Sequence, residues 1–148
     1  MRIFLLFCGL MILGCSAEVI PADDLQNKLS QLVVNKPIDS FYLKEFTDFE
    51  WDEVYIVKPY CPTEEYNKLT YKIEDLPDLG IVDFASDQLQ YLIFVKRNLA
   101  IKYMMPNRVL CCDFTTIRSK ESIARISSDA ILLIKRSEFG YIRIFDRK

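Results

Sequence analysis

Apolar positions along the chain switch between a helical and an alternating period. From Pro21 to Val34, Leu25, Leu29, Leu32 and Val33 recur at spacings of four, three and one, while Asp23, Asp24, Gln26, Asn27, Lys28 and Gln31 fall on other faces. That is the stripe of an amphipathic helix, and the two acids of its first turn suit the positive end of the helix dipole. Pro37 follows soon after, and Phe41 to Phe46 is a short mixed segment. Glu53 to Lys58 is β-branched and aromatic and stops at Pro59, which predicts a buried strand. Pro62-Thr63-Glu64-Glu65, with Tyr66 and Leu69 beyond, predicts a second helix ending near Tyr71, and Asp75 to Gly80 reads as loop. Gln90 to Lys96 and Leu99 to Met105 are apolar runs joined at Arg97-Asn98, the pattern of a hairpin. Val109 to Phe114, Ala130 to Arg136 and Gly140 to Phe145 read as further strands, the last two as a hairpin turning at Glu138-Phe139-Gly140. Early helices followed by strands on short connections predict an α+β domain, with an antiparallel sheet of about five or six strands covered on one face by two helices.

Composition narrows the chemistry. The 148 residues are 51% hydrophobic and 13% aromatic, which excludes a disordered chain and fits one domain. A formal charge of −2 gives no surplus of Lys and Arg, so no nucleic-acid partner is expected. The chain has no His. Ser-His and Cys-His nucleophiles and His-ligated zinc are therefore excluded.

At the N-terminus, Arg2 precedes an uncharged run from Ile3 to Leu13. A membrane-spanning helix needs about 20 apolar residues, whereas the apolar region of a secretory signal has about 7 to 15, so this run reads as a signal. It ends in Ile12-Leu13-Gly14-Cys15, which resembles the lipobox of bacterial lipoproteins. The resemblance implies removal of residues 1–14, a lipid on Cys15 that holds the protein to the membrane, a short tether over 15–20 and a single α+β domain over 21–148. Ser16, which is not Asp, implies the periplasmic side of the outer membrane if the source is Gram-negative.

The most distinctive stretch is Phe49 to Tyr60, which holds the only Trp, two Tyr, three acids and a Pro-Tyr pair. Through Phe49, Trp51, Asp52, Val54, Tyr55, Pro59 and Tyr60 it resembles a broad group of small, uncharacterised bacterial lipoproteins and secreted proteins. In that group a Phe-x-Trp-Asp segment leads into a strand ending in Pro-Tyr. The resemblance implies a shared fold and carries no catalytic residue. Trp51, Tyr55 and Tyr60, flanked by Asp52, would make an aromatic wall with one placed acid, suited to a sugar, a cation or a peptide. The competing reading buries Trp51, Tyr55 and Val57 on one side of a strand and has Asp52 cap a backbone turn; alternation favours it.

Catalytic groups are sparse. The acidic pairs Glu50 with Asp52, Glu64 with Glu65 and Asp23 with Asp24 could serve as acid and base in glycoside cleavage, but with 21 acids such pairs arise by chance. No Gly-x-Ser-x-Gly motif and no calcium-loop pattern is present, so no metal and no cofactor is expected. Cys61, Cys111 and Cys112 would enter an oxidising compartment, which predicts one internal bridge from Cys61 to Cys111 or Cys112, since neighbours in a strand face opposite ways. Together these features predict a membrane-anchored, non-enzymatic lipoprotein of the cell envelope that binds a protein or an envelope component, in the manner of an inhibitor or immunity protein. The alternative is an envelope hydrolase using carboxylates such as Glu50 and Asp52. A deep cleft holding those acids would favour the hydrolase, and acids on an open face would favour binding.

Overall fold

The computed structural model describes residues 17–35, 39–79, 86–138 and 141–147. The signal segment 1–14, Cys15, Ser16, Pro37, Gly80 and the turn residues Phe139 and Gly140 lie outside the described residues. The fold is α+β. In chain order its elements are β1 (Glu18–Val19), α1 (Ala22–Asn35), β2 (Ser40–Tyr42), β3 (Glu53–Val57), α2 (Thr63–Asn67), β4 (Tyr91–Lys96), β5 (Leu99–Met104), β6 (Cys112–Asp113), β7 (Ile123–Ser127), β8 (Ile131–Arg136) and β9 (Ile142–Asp146). Single 3-10 turns cover Leu43–Phe46 and Lys68–Tyr71.

The strands form two sheets where one was expected. The first has the order β1-β5-β4-β3-β7 and the second β2-β8-β9-β6. Pairing is antiparallel except for β1 with β5 and β6 with β9. Val54, Ile56, Leu92, Phe94 and Ile126 of the first sheet share one buried cluster with Phe41, Leu132, Ile134, Ile142 and Ile144 of the second, and Leu25 and Leu29 of α1 complete it. The opposite face of the first sheet, through Tyr55, Val57, Ile93 and Val95, packs with Tyr66 and Leu69 of the second helical segment. The two helices thus serve opposite faces of one sheet. That explains why β3 and β4 read as unbroken apolar runs, since a strand covered on both sides has no polar face. In β8 and β9 the alternating burial marks a sheet covered on one side.

The β4–β5 turn shows how local and tertiary demands combine. Its two-residue loop places both Arg97 (φ 50) and Asn98 (φ 66) in the left-handed region, as a type I′ turn requires. Asn tolerates this conformation, whereas Arg does so at a cost of about 1–2 kcal/mol. The cost is offset from outside the hairpin: the Arg97 N–H donates to Asp52 Oδ2 at 2.9 Å and the Glu74 N–H donates to the Asn98 carbonyl at 2.7 Å.

Three segments differ from the sequence expectation. The strand expected over Val109 to Phe114 shortens to β6, because Asn107 Oδ1 accepts the Val109 and Leu110 N–H groups and the Asn107 carbonyl accepts that of Cys111, closing a turn. β7, Ile-Ala-Arg-Ile-Ser, was not foreseen; its ladder with β3 makes it an edge strand. Where a tether was expected up to residue 20, Ala17 is buried, Glu18 and Val19 pair with Lys102 and Tyr103, and the Ile20 N–H donates to the Tyr103 carbonyl.

Candidate functional site

The stretch Trp51 to Tyr60 is divided among four environments. A bend at Asp52 breaks the strand period, so Trp51 falls on the inter-sheet side with Val54 and Ile56, opposite Tyr55 and Val57. Its indole is buried edge-on to Phe94, with ring centroids 5.3 Å apart, and Nε1 donates to Thr47 Oγ1 at 3.0 Å. This is a core residue with its polar atom satisfied. Asp52 caps the β4–β5 turn, as the structural reading of the sequence expected. Tyr60 lies in the left-handed region at φ 60 and is 65% exposed. The expected wall of Trp51, Tyr55 and Tyr60 is therefore not assembled, and the expected placement of Trp51 beside Tyr55 is corrected by the bend.

Tyr55 lines an open groove of about 530 Å³ on the outer face of the first sheet. The walls come from the α2 segment, with Glu64, Glu65, Lys68 and Lys72, and from Arg125 and Glu121 at the β7 side. Arg125 pairs with Glu53, and the Tyr55 hydroxyl donates to Glu53 Oε2 at 3.3 Å. Burial, reinforced by the Glu53 charge, raises the Tyr55 pKa, so at neutral pH the hydroxyl is a proton-bearing hydrogen-bonding group and no base. Glu65 Oε1 accepts the Ile123 N–H at 3.2 Å and Ser119 Oγ donates to the Ile123 carbonyl at 3.0 Å. These contacts occupy outward-facing backbone groups of an edge strand that could otherwise pair with another chain. With acids and bases in equal number, the groove suits a polar surface carrying both signs of charge.

Of the carboxylates named for hydrolysis, Glu50 and Asp52 line one shallow, open pocket of about 340 Å³ beside Lys44 and Lys96, and Glu64 and Glu65 both line the Tyr55 groove; neither pair sits in a deep cleft. Glu50 is exposed and bonded to Lys96 at 2.5 Å, and this contact holds its carboxyl below the usual range, opposite to what a general acid needs. Asp52 is exposed and engaged with the Arg97 N–H. Glu64 lines the groove, whereas Glu65 there is engaged with the backbone of β7. Among the described residues no group of three or more Cys, Asp and Glu is placed to hold a metal ion, and no helix among them is long and apolar enough to cross a membrane.

The expected bridge from Cys61 to Cys111 or Cys112 is not made. All three thiols are free and buried; Cys61 packs in the outer cluster, and Cys111 and Cys112 pack in the inter-sheet cluster, so the first sheet separates them. Burial, with the Glu65 charge, pushes the Cys61 thiol up to about 12, and burial together with Cys111 raises that of Cys112. Cys111 and Cys112 themselves come together, with sulfurs 3.0 Å apart.

Two polar residues buried among the strands were missed by sequence reasoning. Gln90, fully buried, donates through Nε2 to the Cys112 carbonyl and accepts the Phe114 N–H at 2.9 Å through Oε1, so its amide continues β6 as a strand would. Asp113 accepts from Arg108 at 3.2 Å and from the Thr115 N–H and hydroxyl. Burial alone would raise its pKa, but the Arg108 and Thr115 hydrogen bonds together hold it below the ordinary 3.8. The signal for Gln90 was its place at the head of an apolar run, though nothing local showed which backbone it would meet. The chain matches no known protein family, no curated protein and no solved structure.

Proposed function

We propose that this chain is a membrane-anchored bacterial lipoprotein whose domain binds a protein or an envelope component without transforming it, as an inhibitor or immunity protein does. The observation that carries the reading is Ile12-Leu13-Gly14-Cys15 at the end of a signal-length apolar run. Only two residue steps separate Cys15 from the buried Ala17, so a lipid on Cys15 would hold the domain within about 7 Å of its anchor. The charged groove beside Tyr55 is the surface we assign to the partner, and its open form supports binding over catalysis. The hydrolase alternative draws no support from Glu50 and Asp52, which are exposed and engaged with Lys96 and Arg97.

The test is Cys15→Ser in the native host with metabolic labelling by a fatty-acid probe. Each buried methylene of an acyl chain contributes about 0.8 kcal/mol to membrane binding. Wild type is expected to take the label and sediment with membranes, and the variant to lose the label and either leave the pellet or persist as precursor. Equal labelling of both overturns the anchor. Affinity capture from the same cells, comparing wild type with Lys68→Glu/Lys72→Glu, then tests the groove.

A further inference from the structure

We infer that Cys111 and Cys112 form a redox pair that closes on itself into a vicinal disulfide. Two adjacent residues in a continuous strand point apart, but here the chain changes conformation between them. Cys111 ends the turn closed by its N–H on the Asn107 carbonyl at 2.8 Å, and Cys112 begins β6 in register with Ile142. The break brings both side chains to one side, with sulfurs 3.0 Å apart, so a bond of about 2.05 Å needs only about 1 Å of approach. Both flanks are held: Asn107 Oδ1 accepts the Val109 and Leu110 N–H groups, and Gln90 spans the Cys112 carbonyl and the Phe114 N–H. Prior orientation of this kind makes closure effectively unimolecular. Cys61 lies beyond the first sheet and cannot compete.

Access decides the order of events. Cys112 is fully buried, whereas Cys111 is 7% exposed and follows the exposed Val109 and Leu110. Cys111 therefore meets the oxidant, a small-molecule or protein disulfide. Its thiol gives a proton to solvent and the sulfur attacks one sulfur of that disulfide, whose S–S bond breaks and whose departing thiolate takes up a proton. The Cys112 thiol then loses its proton and attacks Cys111 Sγ, expelling the second thiol. Two protein thiols and one external disulfide become one protein disulfide and two external thiols, with two electrons and two protons passing to the oxidant. Neighbouring α-carbons are about 3.8 Å apart across a trans peptide, below the about 4.4 Å lower limit of ordinary bridges, so the closed ring is strained and readily reduced. That makes the pair a reversible modification site, independent of the lipid on Cys15.

The experiment equilibrates the folded full chain with glutathione buffers from fully reduced to fully oxidised, quenches with an alkylating agent and maps tryptic peptides. Trypsin releases residues 109–118, which carry both thiols on one peptide. In oxidised buffer this peptide is expected to carry no alkyl group and to weigh two hydrogens less than the free dithiol peptide, and to take up both alkyl groups on return to reduced buffer. Cys61 should stay fully alkylatable after unfolding. In Cys112→Ser, Cys111 is expected to stop as the mixed disulfide with glutathione. Two alkylatable thiols in fully oxidised buffer, a stable glutathione adduct on wild-type Cys111, or a bridge from either residue to another cysteine would each overturn the inference. The wild-type measurement decides it even if the variant does not fold.

Discussion

Between the two sheets, Val54, Ile56, Leu92 and Phe94 meet Leu132 and Ile144, and none of the six is exposed; on the other side, the same first sheet meets the α2 segment through Tyr55, Tyr91 and Val57. The inner layer is closed by a second sheet and a 14-residue helix, and the outer by a five-residue helix and a 3-10 turn. A short cover buries less apolar area, and the outer layer includes tyrosines, two of whose hydroxyls reach polar groups, one of them buried. Tyr66 donates to the Pro77 carbonyl at 2.6 Å and Tyr55 to Glu53. Stability therefore resides mainly between the sheets, and the thinner layer is where a polar groove can open.

Truncation on each side tests this division most strongly. Phe94→Ala removes a fully buried ring that meets both Phe49 and Trp51 edge-on, and it is expected to cost about 3–5 kcal/mol; Leu69→Ala in the outer layer is expected to cost about 2 kcal/mol. Urea denaturation midpoints check both, and an equal or larger loss at Leu69 would break the comparison. An effect smaller than that of Phe94→Ala is expected where the inner layer carries its polar strut. Gln90→Ala leaves the Cys112 carbonyl and the Phe114 N–H without the amide that serves them, for a loss of about 2–3 kcal/mol in the same measurement. Slowed hydrogen exchange at Phe114 in wild type, lost in the variant, would locate the effect.

The smallest effect is pH-dependent. Because the folded-state pKa of Asp113 is held below the ordinary 3.8, its ionised form contributes stability that is complete above that value and is lost as pH falls through the folded pKa. Asp113→Asn is expected to cost about 1–2 kcal/mol at neutral pH, discounted for the partly exposed Arg108. The gap from wild type should stay flat above about pH 5 and narrow below about pH 4. Thermal unfolding from pH 3 to 7 checks this, and a gap that stays constant to pH 3 would remove Asp113 from the acid-sensitive groups.

Elements whose signals are local were legible in the sequence. The Leu25 and Leu29 stripe produced α1, the β-branched run at Glu53–Val57 produced β3, and two apolar runs about Arg97-Asn98 produced the β4–β5 hairpin. Period and propensity act within a few residues, so sequence spacing suffices for them. The candidate site was less legible. Only Tyr55 of the four expected surface residues lines the groove, because the bend at Asp52 reversed the facing of Trp51 and the groove's remaining walls come from α2 and β7.

The sequence by itself determined the class, the helices and the main hairpins, all of which depend on neighbours in the chain. Only the tertiary structure decided that the strands divide into two sheets, that the helices serve opposite faces, and that Cys61 is walled off from the Cys111–Cys112 pair. It also supplied Asp52 to the turn at Arg97 and Gln90 to the backbone of β6, across separations of 45 and 22 residues. Such contacts leave no periodic trace in the sequence, since a backbone N–H donates to, and a carbonyl accepts from, whichever polar side chain packing brings to it.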